Sequence, residues 1–276
     1  MLQLLEEARA DKKLANSVHF EDGNKLRDGV LKRAPDEMIK YASQYTVSEE
    51  EMWERFVEMV DVSGESELFI PTFQGSRSVL IDCDIVYFTA ASQRPSKQVK
   101  FDFFYIHTVN SSIFFTKILA LDFLDTRTKL RLLEAKGRMD LIMYISRNAP
   151  ELYLDEITKY PISNNWDALI VQGNRHPRDD GHLSKLVRAL KNGESVCRPY
   201  EGRARELGLK ITGDAWLRIG NMGRFHCLFF GIWGFQLLID MSKVIDSVKD
   251  KEEETMWVRS TGFDEAWAQI EDRAKL

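Results

Sequence analysis

The stretch from Phe101 to Leu119, Phe-Asp-Phe-Phe-Tyr-Ile-His-Thr-Val-Asn-Ser-Ser-Ile-Phe-Phe-Thr-Lys-Ile-Leu, most limits what this chain can fold into. Apolar side chains lie nearly all round it over a length too great for a strand, so the pattern predicts a helix buried at the centre of the core. Other helices must cover it, and several are legible. Pro35-Asp36 opens a short one with Met38, Ala42 and Tyr45 on one face, and Ser48 with Glu51 forms a capping box before Met52, Trp53, Phe56, Val57 and Val60. That second helix is expected to end near Ser63-Gly64, whereas residues 17–29, with Gly23 and Gly29, read as loop. From Thr126 to Arg147 charged residues interleave with Leu130, Leu133, Ile142 and Ile145; Glu134 and Arg138 form an i,i+4 pair, and Pro150 ends the run. Asp179 and Asp180 can cap a helix whose apolar face is Leu183, Leu186, Val187 and Leu190 and which Gly193 stops. A last helix is expected after Thr261-Gly262, with Phe263, Ala266, Trp267 and Ile270 on one stripe and Asp264 and Glu265 in its first turn, where the helix dipole accounts for them.

Two stretches break this pattern. Residues 69–89 are rich in β-branched and aromatic side chains and read as strand-like, and residues 223–243 are the most hydrophobic part of the chain. The apolar run from Phe225 to Ile239 falls short of the roughly 20 residues a membrane span needs and contains Gln236, so no stable span is expected.

Composition removes other classes. Thirty-eight Lys and Arg against 43 Asp and Glu give a net charge of −5, so no basic field attracts nucleic acid. The three cysteines, Cys83, Cys197 and Cys227, form no CxxC motif, which argues against a disulfide scaffold or a zinc site. The acidic opening Met-Leu-Gln-Leu-Leu-Glu-Glu lacks the features of a signal peptide, and a cytoplasmic location is expected. No GxGxxG, Walker A or GxSxG pattern is present.

Two places could carry chemistry. In Asp179-Asp180-Gly181-His182-Leu183-Ser184-Lys185 a helix would set His182 and Lys185 one turn apart on one face, able to address one ligand. In the 101–119 helix His107, Asn110 and Ser111 make a polar stripe that is costly to bury unless paired or coordinating. The plainer accounts are a hydrogen-bonded core histidine for His107 and a surface helix-start residue for His182. His19 and His176 are expected to be exposed, and neither has a metal-binding spacing.

Four motifs taken in order resemble the questin-oxidase-like family of fungal polyketide-tailoring enzymes. They are Phe101-Asp102-Phe103-Phe104-Tyr105-Ile106-His107 with Asn110-Ser111-Ser112; Arg131-Leu132-Leu133-Glu134-Ala135-Lys136-Gly137-Arg138; Asp179 through Leu190; and Trp257-Val258-Arg259-Ser260 with Gly262 to Trp267. The resemblance implies a mainly α, multi-helix single catalytic domain, with residues 1–276 as its C-terminal part and 69–89 and 223–243 as two atypical apolar inserts. It also implies an oxidoreductase that opens anthraquinone-like aromatic polyketides with dioxygen, by Baeyer–Villiger-type oxidation or non-heme iron dioxygenation. The cofactor would be iron, held by His107 and His182, with Lys185 as the carbamate-bearing lysine; NADPH is a further candidate as reductant. Carbamate formation needs a neutral amine, which burial favours, and the product would offer iron a hard anionic oxygen. The family's histidine-rich N-terminal motifs have no counterpart here, which leaves the ligand set incomplete and sets an inactive truncated homologue beside the enzyme. The other alternative is a non-catalytic helical interaction protein. Convergence of His107 and His182 on one polar spot separates that reading from the enzyme.

Overall fold

The computed structural model describes residues 1–50, 52, 84–176, 179–202, 210–224 and 257–273. The expected helix beyond Met52, residues 69–83 and 225–243, Cys83, Cys227 and His226 lie outside that set. The described chain is mainly helical, and its only β pairing is two isolated bridges.

The chain opens with α1 (Leu2–Ala10), α2 (Lys12–Ala15), a π-helical turn (Lys25–Val30) running into α3 (Leu31–Arg33), and α4 (Pro35–Ala42). The π turn occupies the end of the expected loop, its first turn closed by Asn24, whose side chain accepts from the Arg27 N–H. Then follow α5 (Asp84–Ala91), α6 (Phe103–Leu119), α7 (Thr126–Ser146), α8 (Leu154–Thr158), α9 (Trp166–Arg175), α10 (His182–Cys197) and α11 (Ala215–Arg224).

Helix α6 is central, packed against α5, α7 and α10, and it buries Tyr105, Ile106, Val109 and Leu119. It is not enclosed all round. Phe103, His107, Asn110 and Phe114 recur at helical spacing along a half-open face, where His107 is exposed and Phe114 is 64% exposed. Helix α5 corrects the strand-like reading of residues 84–89: Ile85, Val86 and Phe88 are buried where α5 packs between α6 and α8. Short β-branched runs fit a helix once both sides are covered, because burial outweighs local propensity.

Two close approaches shape the bundle. The Tyr45 ring lies on Gly137, where an added Cβ would come within 2.2 Å of Cε1, and the Glu134–Arg138 pair clamps the same segment by accepting from Val47 N and donating to Tyr45 O. Gly193 does not stop α10, which runs on to Cys197. It lies inside the helix because Trp216 packs on it, with Cζ3 2.2 Å from where a Cβ would sit. The close contact, not the end of the helix, requires glycine.

The expected last helix is absent among the described residues; 257–273 form a strap of bends and turns with one 3-10 turn, Glu265–Trp267. Its backbone is used elsewhere. Gln98 N–H donates to Glu271 O, Arg273 N–H to Ser96 O and Phe103 N–H to Val258 O, while Trp267 Nε1 donates to Thr261 O. Asp102 fixes strap and helix together: one oxygen accepts from Phe104 and Tyr105 at the start of α6, the other from Thr261 at 2.7 Å. Burial pushes this carboxyl's pKa up, against the pull of those N–H groups and of Arg147. Where the strap meets the end of α7, Asn148, Ala149 and Ser260 all have positive φ, and Gly262 donates to Arg147 O. No helix among the described residues is long and apolar enough to cross a membrane.

Candidate metal centre

Helix α10 begins at His182, after Gly181 in a left-handed conformation at φ 98°. Before that turn, both oxygens of Asp179 accept from the Leu183 N–H, as a cap does. Asp180 acts differently. Its carboxylate takes a short hydrogen bond from His182 Nδ1, and that bond, with the nearby charge of Lys185, holds the Asp180 pKa below the ordinary carboxylate value. On α6, His107 Nδ1 donates to Phe103 O, one turn back, at 2.6 Å.

The two rings meet. His107 Nε2 and His182 Nε2 are 3.2 Å apart, and the Phe103 ring lies against both, with centroids at 4.8 and 5.1 Å. A carbonyl and a carboxylate only accept, so both Nδ1 atoms donate and the two Nε2 atoms are left facing each other. Two such nitrogens need a proton or a cation between them. Imidazole ligands at about 2.0–2.1 Å from a first-row metal sit about 2.8–3.4 Å apart for cis to tetrahedral angles, and the observed separation of 3.2 Å lies in that range. A carboxylate on Nδ1 also makes Nε2 a better donor. Asp179, Asp180 and His182 bring ligand atoms within 4.8 Å of one another, yet both carboxylates already serve the cap and the ring.

His107 is therefore neither buried nor a self-contained core residue, and His182 does more than start a helix. Lys185 is exposed rather than buried, with Cε and Nζ beside Gly181. His176 is half-buried rather than exposed, and His19 is exposed as expected. Three contributions were not read from the sequence: Asp180 as partner of His182, Phe103 as the ring shared by both imidazoles, and Arg259, whose guanidinium carbon stands 4.2 Å over the Phe103 ring. The Asp-x-His spacing was the visible clue to the first.

The questin oxidase-like family model matches residues 1–190. The questin oxidase of Aspergillus terreus is 32% identical over 276 residues, covering 98% of this chain and 52% of its own. The Baeyer-Villiger oxidase ptaJ of Pestalotiopsis fici is 30% identical over 275 residues, with the same coverage of each chain. The oxidoreductase AflY of Aspergillus parasiticus is 32% identical over 228 residues, 80% of this chain and 41% of its own. The chain spans about half the length of the curated relatives it matches.

Proposed function

The chain belongs to the questin oxidase-like family, and from that premise we propose that it serves as an oxygen-dependent oxidoreductase cleaving an anthraquinone-like aromatic polyketide, with iron at the His107–His182 pair. The observation that carries this reading is the meeting of the two Nε2 atoms at 3.2 Å. Iron, when bound, supplies the redox chemistry that brings dioxygen to an aromatic ring. The side chains set its surroundings: Asp180 fixes the tautomer of His182, the Phe103 carbonyl fixes that of His107, and the Phe103 ring holds both imidazoles in place. Exposure of His107 leaves room for a flat substrate beside the pair. Lys185, one turn along α10, remains the side chain that carboxylation would turn into an anionic oxygen ligand. We place the protein in the cytoplasm and assign it neither a nucleic-acid partner nor a membrane span.

A helical interaction module has no need for two histidines on α6 and α10 to converge, so the pair favours the enzyme. Anaerobic titration of the purified chain with Fe(II), followed by metal analysis, tests the reading. One equivalent is expected to bind to the wild type and to be lost in His107→Ala and in His182→Ala. An absence of bound iron in the wild type, or full binding by either variant, overturns it. Loss of turnover when NADPH is omitted would assign the reaction to monooxygenation; oxygen uptake without it, to dioxygenation.

A further inference from the structure

We infer that the side-chain carbonyl of Asn110 is a third, oxygen donor to the cation held by His107 and His182; this rests on the metal reading above. The polar residues that follow His107 on α6 are otherwise satisfied by their own helix. Thr108 Oγ1 donates to Tyr105 O, Ser111 Oγ to Thr108 O and Ser112 Oγ to Val109 O. Asn110 alone among them is not: its Oδ1 is buried and has no hydrogen-bond partner among the described residues. A buried amide oxygen without a partner is costly, and an ion or an ordered water is among the things that complete one.

Position says what completes it. Asn110 follows His107 by three residues, the spacing at which Glu-x-x-His pairs on one helix both supply ligands to the di-metal sites of helical bundles. Helical side chains lean back toward the N-terminus, which carries the Asn110 amide toward the turn that bears His107. Helix α10, which brings His182, packs directly on α6. An amide carbonyl is a neutral, hard oxygen donor of the kind that complements two imidazoles around a first-row cation.

The probe is Co(II), titrated into the metal-free wild type, Asn110→Ala, Asn110→Leu and Asn110→Asp, with the visible absorption of the bound ion and the melting temperature of each metal-free protein recorded. The inference expects affinity about tenfold weaker in the Ala and Leu variants and about tenfold tighter in the Asp variant, with a changed visible spectrum. It also expects the metal-free Leu variant to melt no lower than wild type, since it removes an unpartnered group. Wild-type affinity in Asn110→Ala, or a Leu variant that melts lower yet binds Co(II) normally, overturns the inference and leaves the histidine pair standing. A wild type that binds no Co(II) overturns the metal reading itself and this inference with it. Circular dichroism checks that each variant folds, and Asn110→Asp, close to isosteric with the native residue, keeps the test open should the apolar variants unfold.

Discussion

Asp180 accepts the Nδ1 proton of His182, two residues further on, and so decides which nitrogen of that ring is left to face His107. If His182 binds metal as proposed, Asp180→Asn is expected to weaken metal binding about 10- to 100-fold while leaving stability within about 0.5 kcal/mol, because the carboxylate orients the imidazole and lies near the surface. Asp179→Ala is expected to do the reverse, costing about 1 kcal/mol through the lost cap on Leu183 and sparing affinity. Paired urea melts and Co(II) titrations of the two variants check this; equal effects on affinity would refute the division of labour.

A second prediction concerns Lys136 and Asp140, a buried i,i+4 pair on α7 with Nζ 2.5 Å from Oδ2. Burial pushes the Asp140 carboxyl up and the Lys136 ammonium down, the directions in which each ion is held at a cost. Asp140→Ala should therefore lose about 3–5 kcal/mol by stranding a buried cation, while Lys136→Met combined with Asp140→Leu should match or exceed the wild type. Denaturant unfolding of the single and double variants tests it, and a double variant as weak as the single one would count against it.

Acid stability should depend on Asp22. Two hydrogen bonds from Arg33, both at 2.7 Å, and one from the His19 N–H hold its pKa far below the carboxylate norm. A depressed folded-state pKa gives stability that is present above the unfolded value of about 3.9 and lost as pH falls through the folded value. Asp22→Asn should lower stability by about 1–2 kcal/mol at pH 7, with the gap to wild type narrowing below about pH 4. Thermal melts between pH 7 and pH 2 check the sign: a gap that widens in acid would contradict it.

Gly193→Ala should destabilise by about 1–3 kcal/mol although alanine is the better helix former, because its methyl would meet the Trp216 ring. The double variant with Trp216→Leu should lose less stability than the sum of the two single losses, as expected for a shared contact. Strict additivity in thermal melts would show that the contact is not what glycine serves.

The sequence made some of this legible and concealed the rest for definite reasons. His107 and His182 stand out because imidazoles at those places have little to do in a plain helix, and the structure brings them together. The exposure of His107 was hidden because Phe103 and Phe114, which line the open face of α6, carry the same apolar signal as core residues. The spacing of Phe263, Ala266, Trp267 and Ile270 suggested a helix. In fact a looping strap drops Trp267 and Ile270 into a small cluster with Val258, and periodicity does not distinguish the two. Gly193 looked like a stop because its reason lies on Trp216 in another helix, and the exposure of Lys185 was hidden because spacing fixes a helical face without fixing its depth.

The peptide groups flanking Phe103 are used in two directions at once: the N–H holds Val258 of the strap, and the C=O holds the ring of His107. That residue is a mechanical joint between the tail of the described chain and one half of the imidazole pair. A substitution that loosens residues 257–262 would reach the pair as a change of aim, with the helices still folded, and its mark would be a broadened distribution of metal geometries in a spectrum while the melting curve stays in place.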